Sequence, residues 1–223
     1  MKPVGVVLSG CGVFDGSEIH EAVLVLLFLD QRNIPYQCLA PDIEQSDVIN
    51  HIDGKPMAEK RNVLVEAARI ARGNIKNTAE VSADDFSALI FPGGFGAAKN
   101  LCDFASKGKD CTIEASVLSL AKGMAQAKKP LGFICIAPVM APKIFGENVQ
   151  VTIGNDTETA AAIAAMGGTP IECPVEDIVV DQERKLVSTP AYMLAKSIKE
   201  SAAGIERLVE KIADMIQSQK GSF

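Results

Sequence analysis

A thiol at position 135 and a carboxyl at position 21 are the side chains of this sequence best placed to do chemistry together. Cys135 ends an apolar run, Leu131-Gly132-Phe133-Ile134, and is followed at once by Ile136-Ala137-Pro138, which reads as the opening of a helix. A strand that stops on a nucleophile and turns directly into a helix puts that side chain on a sharp turn at the helix's positive end. A thiol there is expected to be acidified and exposed; the alternative is one more small buried hydrophobe. Glu21 follows Asp15-Gly16-Ser17-Glu18, in which Asp15 and Glu18 have the spacing of a capping box. The cap accounts for Glu18 and leaves Glu21, beside Ala22-Val23-Leu24, as a carboxyl whose partial burial should raise its pKa.

Two glycine-bearing loops bear on the same chemistry. Phe91-Pro92-Gly93-Gly94-Phe95-Gly96 follows an apolar run and lets backbone N–H groups approach an anion. The Gly94 N–H is a natural partner for the Ile136 N–H in an oxyanion hole, which takes one donor from the residue after the nucleophile and one from another strand–helix loop. The second loop, Ser9 to Glu21, carries glycines at 10, 12 and 16 and is followed by Asp42, a loose likeness to a dinucleotide fingerprint. Asp15, Glu18 and Glu21 would repel a diphosphate at that helix start. Tyr192-Met193-Leu194-Ala195-Lys196 spells Y-x-x-x-K, a reductase pattern, but Pro190 places the tyrosine at a helix entrance.

The elements that must position these residues alternate. Strands are predicted at Val4–Leu8, Tyr36–Ala40, Ala88–Phe91, Pro130–Ile134, Val149–Thr152 and Pro170–Cys173. Helices are predicted at Glu18–Gln31, Lys60–Ala71, Thr112–Ala127, Ala137–Phe145, Thr157–Met166 and Ala195–Gln217, with Ser218 to Phe223 frayed. The pattern is that of an α/β fold with a mostly parallel sheet, whose ligands sit outside the carboxyl ends of the strands. Asp47–Met57 and Ile178–Ser188 interrupt it as hairpin insertions, the first around Asp53-Gly54.

At 223 residues the chain can bury the core of one domain, expected over residues 4–217. Six cysteines without a C-x-x-C pair, and only two histidines, argue against a zinc site and against a disulfide framework. His20 is expected to point away from the Glu21 face, and both His20 and His51 are read as structural or solvated. A start that runs straight into a strand, with reduced cysteines, points to a cytoplasmic setting. No apolar run reaches the ~20 residues of a membrane helix. A net charge of −6 disfavours nucleic acid and anionic membrane, leaving a small ligand.

The segments SGCGVFDGSEIHEAV, DVINH, RNVLVEAARI, PGGFGAAKNL, GFICIAP and TPAYMLA resemble the ElbB family, isoprenoid-biosynthesis proteins with an amidotransferase-like domain. That family lies in the PfpI-like, class I glutamine amidotransferase-like superfamily, and the resemblance extends from about Val4 past Tyr192. It implies a flavodoxin-like three-layer sandwich, a reactive Cys135, an acidic Glu21, and Gly93, Gly94 and Ile136 on the backbone anion hole. It also implies no metal or organic cofactor, and a homodimer. The chain departs from the wider superfamily in one respect. Ile136 stands where many PfpI-like enzymes have histidine, and Thr189-Pro190-Ala191-Tyr192 offers none, so a Cys-His-Glu triad, and with it glutamine hydrolysis and proteolysis, is set aside.

A thiol and a carboxyl without histidine suit an aldehyde: the thiolate adds to glyoxal, and a proton shift by Glu21 turns the adduct into a thioester of glycolate. This is a glutathione-independent glyoxalase reaction, an activity associated with ElbB-like proteins, and its first step is shared with a deglycase. The other expectation is a redox or stress-response protein in which Cys135 is oxidised. No paired-aspartate metal motif supports a role in isoprenoid synthesis.

Overall fold

The computed structural model describes residues 1–220, with side chains to 218. Seven strands form the main sheet: β1 Val4–Val7, β2 Tyr36–Ala40, β3 Ile75–Asn77, β4 Ala88–Phe91, β5 Leu131–Ile134, β6 Val179–Asp181 and β7 Leu186–Thr189. Their spatial order is β6-β7-β5-β4-β1-β2-β3, parallel throughout except for the antiparallel β6–β7 pair. Among the described residues eight α-helices accompany them: α1 Ile19–Gln31, α2 Val63–Ile70, α3 Phe95–Lys99, α4 Phe104–Lys107, α5 Ala115–Gln126, α6 Ala141–Phe145, α7 Thr157–Ala165 and α8 Ile198–Lys220. The fold is a flavodoxin-like α/β sandwich.

Strand alternation builds the layers. Val4, Val6 and Leu8 of the first strand segment face one apolar core with α1 and α8, while Val7 faces the other with Val117, Leu120 and Met124 of α5. Phe91 and Phe133, on adjacent strands, stack at 4.8 Å between ring centroids in that second core. From β1 the chain first steps outward to β2 and β3, then crosses to β4 on the opposite side of β1. The crevice between the loops leaving β1 and β4 is therefore a topological switch point, where such sheets place their ligands.

Several expectations change in detail. The segment Ile178–Ser188 does turn as a hairpin, but its second strand, β7, pairs in parallel with β5 and so belongs to the main sheet. The runs near Val149 and Pro170 instead make a separate two-stranded ribbon, Gln150–Val151 with Thr169–Pro170. The hairpin in Asp47–Met57 is present as Ile49–Asn50 with Lys55–Pro56, and Gly54 takes the left-handed conformation its turn requires, φ 72°. The last helix continues through Lys220, beyond the expected fraying point, and residues 221–223 lie outside the described residues. Cys102 and Cys111, read as isolated, are neighbours: the Cys102 thiol beside Cys111 holds its pKa below the ordinary thiol value, while Cys102 itself donates to the Ala97 carbonyl at 3.2 Å.

Candidate active site

The backbone at Cys135 is the local anomaly around which the site is built. Its φ of 61° is left-handed for a residue with a side chain, which costs roughly 1–2 kcal/mol. The Cys135 N–H donates to the Thr189 carbonyl at 3.0 Å, tying the elbow to the end of β7. Beyond the elbow the chain makes a 3-10 turn, Ala137–Met140, and then enters the five-residue α6. The expectation of an exposed, acidified thiol is overturned. Cys135 is 8 % exposed, and burial, followed by the adjacent Glu21 carboxyl, pushes its pKa well above the ordinary thiol value. The short tight turn offers too small a dipole to offset this. Hydrogen bonds from the Gly94 and Ile136 N–H groups to the sulfur act in the opposite direction. Ala137 and Val139, just beyond the elbow, are fully buried and belong to the second core.

Glu21 reaches the same point from α1 and is 0 % exposed. Its Oε2 accepts from the Gly93 N–H at 2.8 Å, and its Oε1 from the Tyr192 N–H at 3.2 Å. Burial raises its pKa to about 8, with Glu18 adding to the rise; the Tyr192 and Gly93 N–H groups and the Cys135 thiol oppose it. The expected capping box is replaced by a different arrangement. Glu18 itself is the N-cap of α1, its carboxylate accepting from the Glu21 N–H at 2.7 Å. Asp15 is drawn away to the Ile49 N–H at 2.7 Å, because the loop before α1 folds under the inserted hairpin.

Gly93 joins the two reacting groups. Its N–H holds Glu21, its carbonyl accepts from the Glu18 N–H at 2.9 Å, and a Cβ there would overlap the Cys135 Cβ and lie 2.7 Å from Glu21 Oε2. Only glycine fits this contact. The expected three-donor anion hole is thereby divided: Gly94 and Ile136 direct N–H groups at the sulfur, while the Gly93 N–H is committed to the carboxylate. Gly94, at φ 93°, supplies the left-handed turn that aims its N–H.

The remaining motifs sort themselves by contact. The glycine loop after β1 uses its own donors, Gly12 N–H to Ser17 O at 2.9 Å and Gly16 N–H to Gly12 O at 2.7 Å, and receives Gly96 N–H on Gly16 O at 2.9 Å. It packs against the β4 loop where a pyrophosphate cradle would need free N–H groups. Asp42 accepts from the Asn62 side chain at 2.7 Å. Tyr192 lies in a 3-10 turn, Ala191–Met193, that ends before Lys196, so the Y-x-x-x-K pair does not share a helix. His51 accepts from the Phe14 N–H at 3.2 Å and packs against the Phe14 ring. His20, expected to turn away, shares a 2.9 Å hydrogen bond between Nδ1 and the Tyr192 hydroxyl. Tyr192 is the contributor that the sequence reading missed; its signal was the TPAYMLA segment, which leaves the strand neighbouring Cys135. Among the described residues no group of three or more His, Cys, Asp or Glu is arranged to hold a metal, and no helix is long and apolar enough to cross a membrane.

No protein-family model matches the chain. It is 45% identical over 222 residues to the ES1 protein homolog, mitochondrial, of Rattus norvegicus, covering 95% of this chain and 83% of the relative. It is 46% identical over 222 residues to glutamine amidotransferase-like class 1 domain-containing protein 3, mitochondrial, of Homo sapiens, covering 95% and 82%. A crystal structure of an isoprenoid biosynthesis protein with amidotransferase-like domain from Ehrlichia Chaffeensis superposes with TM-score 0.88 at 35% identity, over 95% of this chain and 99% of that one. A DJ-1 superfamily protein from Salmonella typhimurium, at 19% identity and TM-score 0.57 over 99% and 97%, shares the fold alone. The cytoplasmic expectation is overturned by the relatives' names, which place them in mitochondria. Free cysteines report a reducing setting and do not distinguish one reducing compartment from another. The 35–46% identities, spread over nearly the whole chain, settle the family: the chain belongs to the ES1 and ElbB-type family of glutamine amidotransferase-like class 1 proteins.

Proposed function

We propose that the protein is a glutathione-independent glyoxalase that converts glyoxal to glycolate through Cys135, with a deglycase-type reaction sharing its first step. The observation that carries this reading is the buried thiol–carboxyl pair, held together by Gly93 and facing two backbone donors. A pair of this kind is built to pass protons.

In the first step the Cys135 sulfur attacks one aldehyde carbon. The S–C bond forms, the carbonyl electron pair moves to oxygen under the Gly94 and Ile136 N–H groups, and the thiol proton passes through Glu21 to that oxygen, giving a hemithioacetal. Glu21 then takes the proton from the sulfur-bearing carbon, and the electron pair of that C–H bond moves through the neighbouring carbonyl to give an enediolate. Return of the proton from Glu21 to the second carbon, with transfer of the hydroxyl proton of the first carbon to the second oxygen, gives the glycolyl thioester. Water cleaves the S–C bond, restoring the thiol and releasing glycolate. One glyoxal and one water give one glycolic acid, with no external oxidant or reductant.

The competing reading, an oxidisable stress sensor, requires an accessible thiolate. Burial and the raised pKa of Cys135 weigh against it. Steady-state loss of glyoxal and appearance of glycolate, without glutathione or added metal, tests the choice. The wild type is expected to turn over and Cys135→Ala and Glu21→Gln to lose at least about 10²-fold; a wild type without turnover whose Cys135 is selectively oxidised by mild peroxide would select the sensor.

A further inference from the structure

Glu21 carries a hydrogen bond that its own helix cannot supply. The Tyr192 N–H reaches its Oε1 from the turn after β7, and that turn is entered through Ala191, whose φ of 44° is left-handed for a residue with a side chain. Internal bonds from Met193 to Pro190 and from Leu194 to Ala191 close the turn but do not attach it to α1. The attachment is made by side chains. The Tyr192 hydroxyl and His20 Nδ1 lie 2.9 Å apart, and His20 directly precedes Glu21 on α1.

We propose that His20 and Tyr192 are positioning residues, forming a clamp between α1 and the Ala191–Met193 turn that keeps the Tyr192 N–H on the Glu21 carboxyl. The proposal rests on the reading of Glu21 as the acid–base group and names what sets its working state. Ala191 seats the base of the turn in the core, and the Tyr192–His20 bond ties its tip to α1; when that bond is removed the tip of the strained turn withdraws, and the Tyr192 N–H with it. The carboxylate then loses one of its two backbone donors in a fully buried position.

The groups facing Glu21 are few. Glu18 approaches from its own helix, the Cys135 thiol from the turn after β5, and the Gly93 and Tyr192 N–H groups from the loops after β4 and β7. Glu18 also stands 3.9 Å from His20 Nδ1 through its Oε1. Of these, only the Tyr192 N–H depends on the clamp. Release should therefore act in one direction, making the carboxyl harder to ionise.

Carbon-13 NMR of the full chain carrying labelled glutamate follows that carboxyl directly, with the Glu21 signal assigned by its loss in Glu21→Gln. Tyr192→Phe and His20→Ala are each expected to move the midpoint upward by about half a pH unit or more, and His20→Asn, whose amide can meet the phenol, to restore it. His20 has half its side chain exposed, so its replacements are expected to fold, which circular dichroism checks. A midpoint that is unmoved or lowered in Tyr192→Phe and His20→Ala overturns the clamp. The titration needs no glyoxal, so the absence of turnover would remove the glyoxalase reading alone, while an unmoved midpoint in an active enzyme would remove the clamp alone.

Discussion

The neutral resting state of the Cys135–Glu21 pair has a kinetic consequence. Glu21 must be ionised to accept the thiol and carbon protons, so kcat/KM is expected to rise with pH and level off above an apparent pKa near 8. A pH–rate profile flat from about 5 to about 9, with turnover intact, would show that no such ionisation governs the step. Both residues are legible in the sequence because each breaks a local rule: the thiol stands where a strand stops abruptly, and the carboxyl has no capping duty to explain it. Their electrostatics are only half legible: a raised Glu21 follows from its apolar neighbours, whereas the high pKa of Cys135 depends on how completely the β4 loop closes over it. The role of Gly93 is hidden for the same reason, since glycine in a sequence announces close approach without saying to what.

At the scale of elements, the long periodic segments were read nearly to their ends, while short or strained pieces were not. The edge strand β3 has only three residues with Lys76 at its centre, too little pattern to stand out. Helices α3 and α4 are five and four residues long and follow glycine or aspartate in loops, where no apolar period can develop. The turn after β7 was hidden more deeply, because a left-handed alanine leaves no mark in composition. It also marks where the site is sensitive. Ala191→Val, placing a β-branched side chain at φ 44°, is expected to cost on the order of 1–3 kcal/mol and to lower kcat by displacing the Tyr192 N–H. Urea unfolding and steady-state rates measure both; a variant as stable and as active as the wild type would mean the turn adapts without consequence for Glu21.

For the whole molecule, the sheet order places the loops after β1, β4, β5 and β7 side by side, so four distant stretches of sequence meet at one crevice. The alternating pattern made the sandwich readable, but the placement of β7 beside β5 was not, since a hairpin and a sheet strand look alike in sequence. Assembling an ionisable pair in that interior has a cost to the fold. In the unfolded chain Glu21 ionises near 4.5, and in the folded protein at about 8. Its bound proton therefore contributes stability that is fully present below 4.5 and lost as pH rises through 8. Relative to Glu21→Gln, the wild type should lose on the order of 5 kcal/mol across that window. Thermal melts of the two proteins at several pH values read this as a Tm difference that moves in the variant's favour with rising pH, and a difference constant with pH would place the carboxyl at its ordinary value.

The central claim is that glyoxal becomes covalently bound to Cys135 and that Glu21 moves the proton that releases it. The measurement that meets this claim most directly is intact-protein mass spectrometry after rapid mixing with glyoxal and acid quench, on the wild type, Cys135→Ala and Glu21→Gln. A two-carbon mass increase that rises and decays in the wild type, forms at least about 10²-fold more slowly in Glu21→Gln and is absent from Cys135→Ala is the expected result. Turnover of glyoxal with no adduct at Cys135 at any mixing time would contradict it.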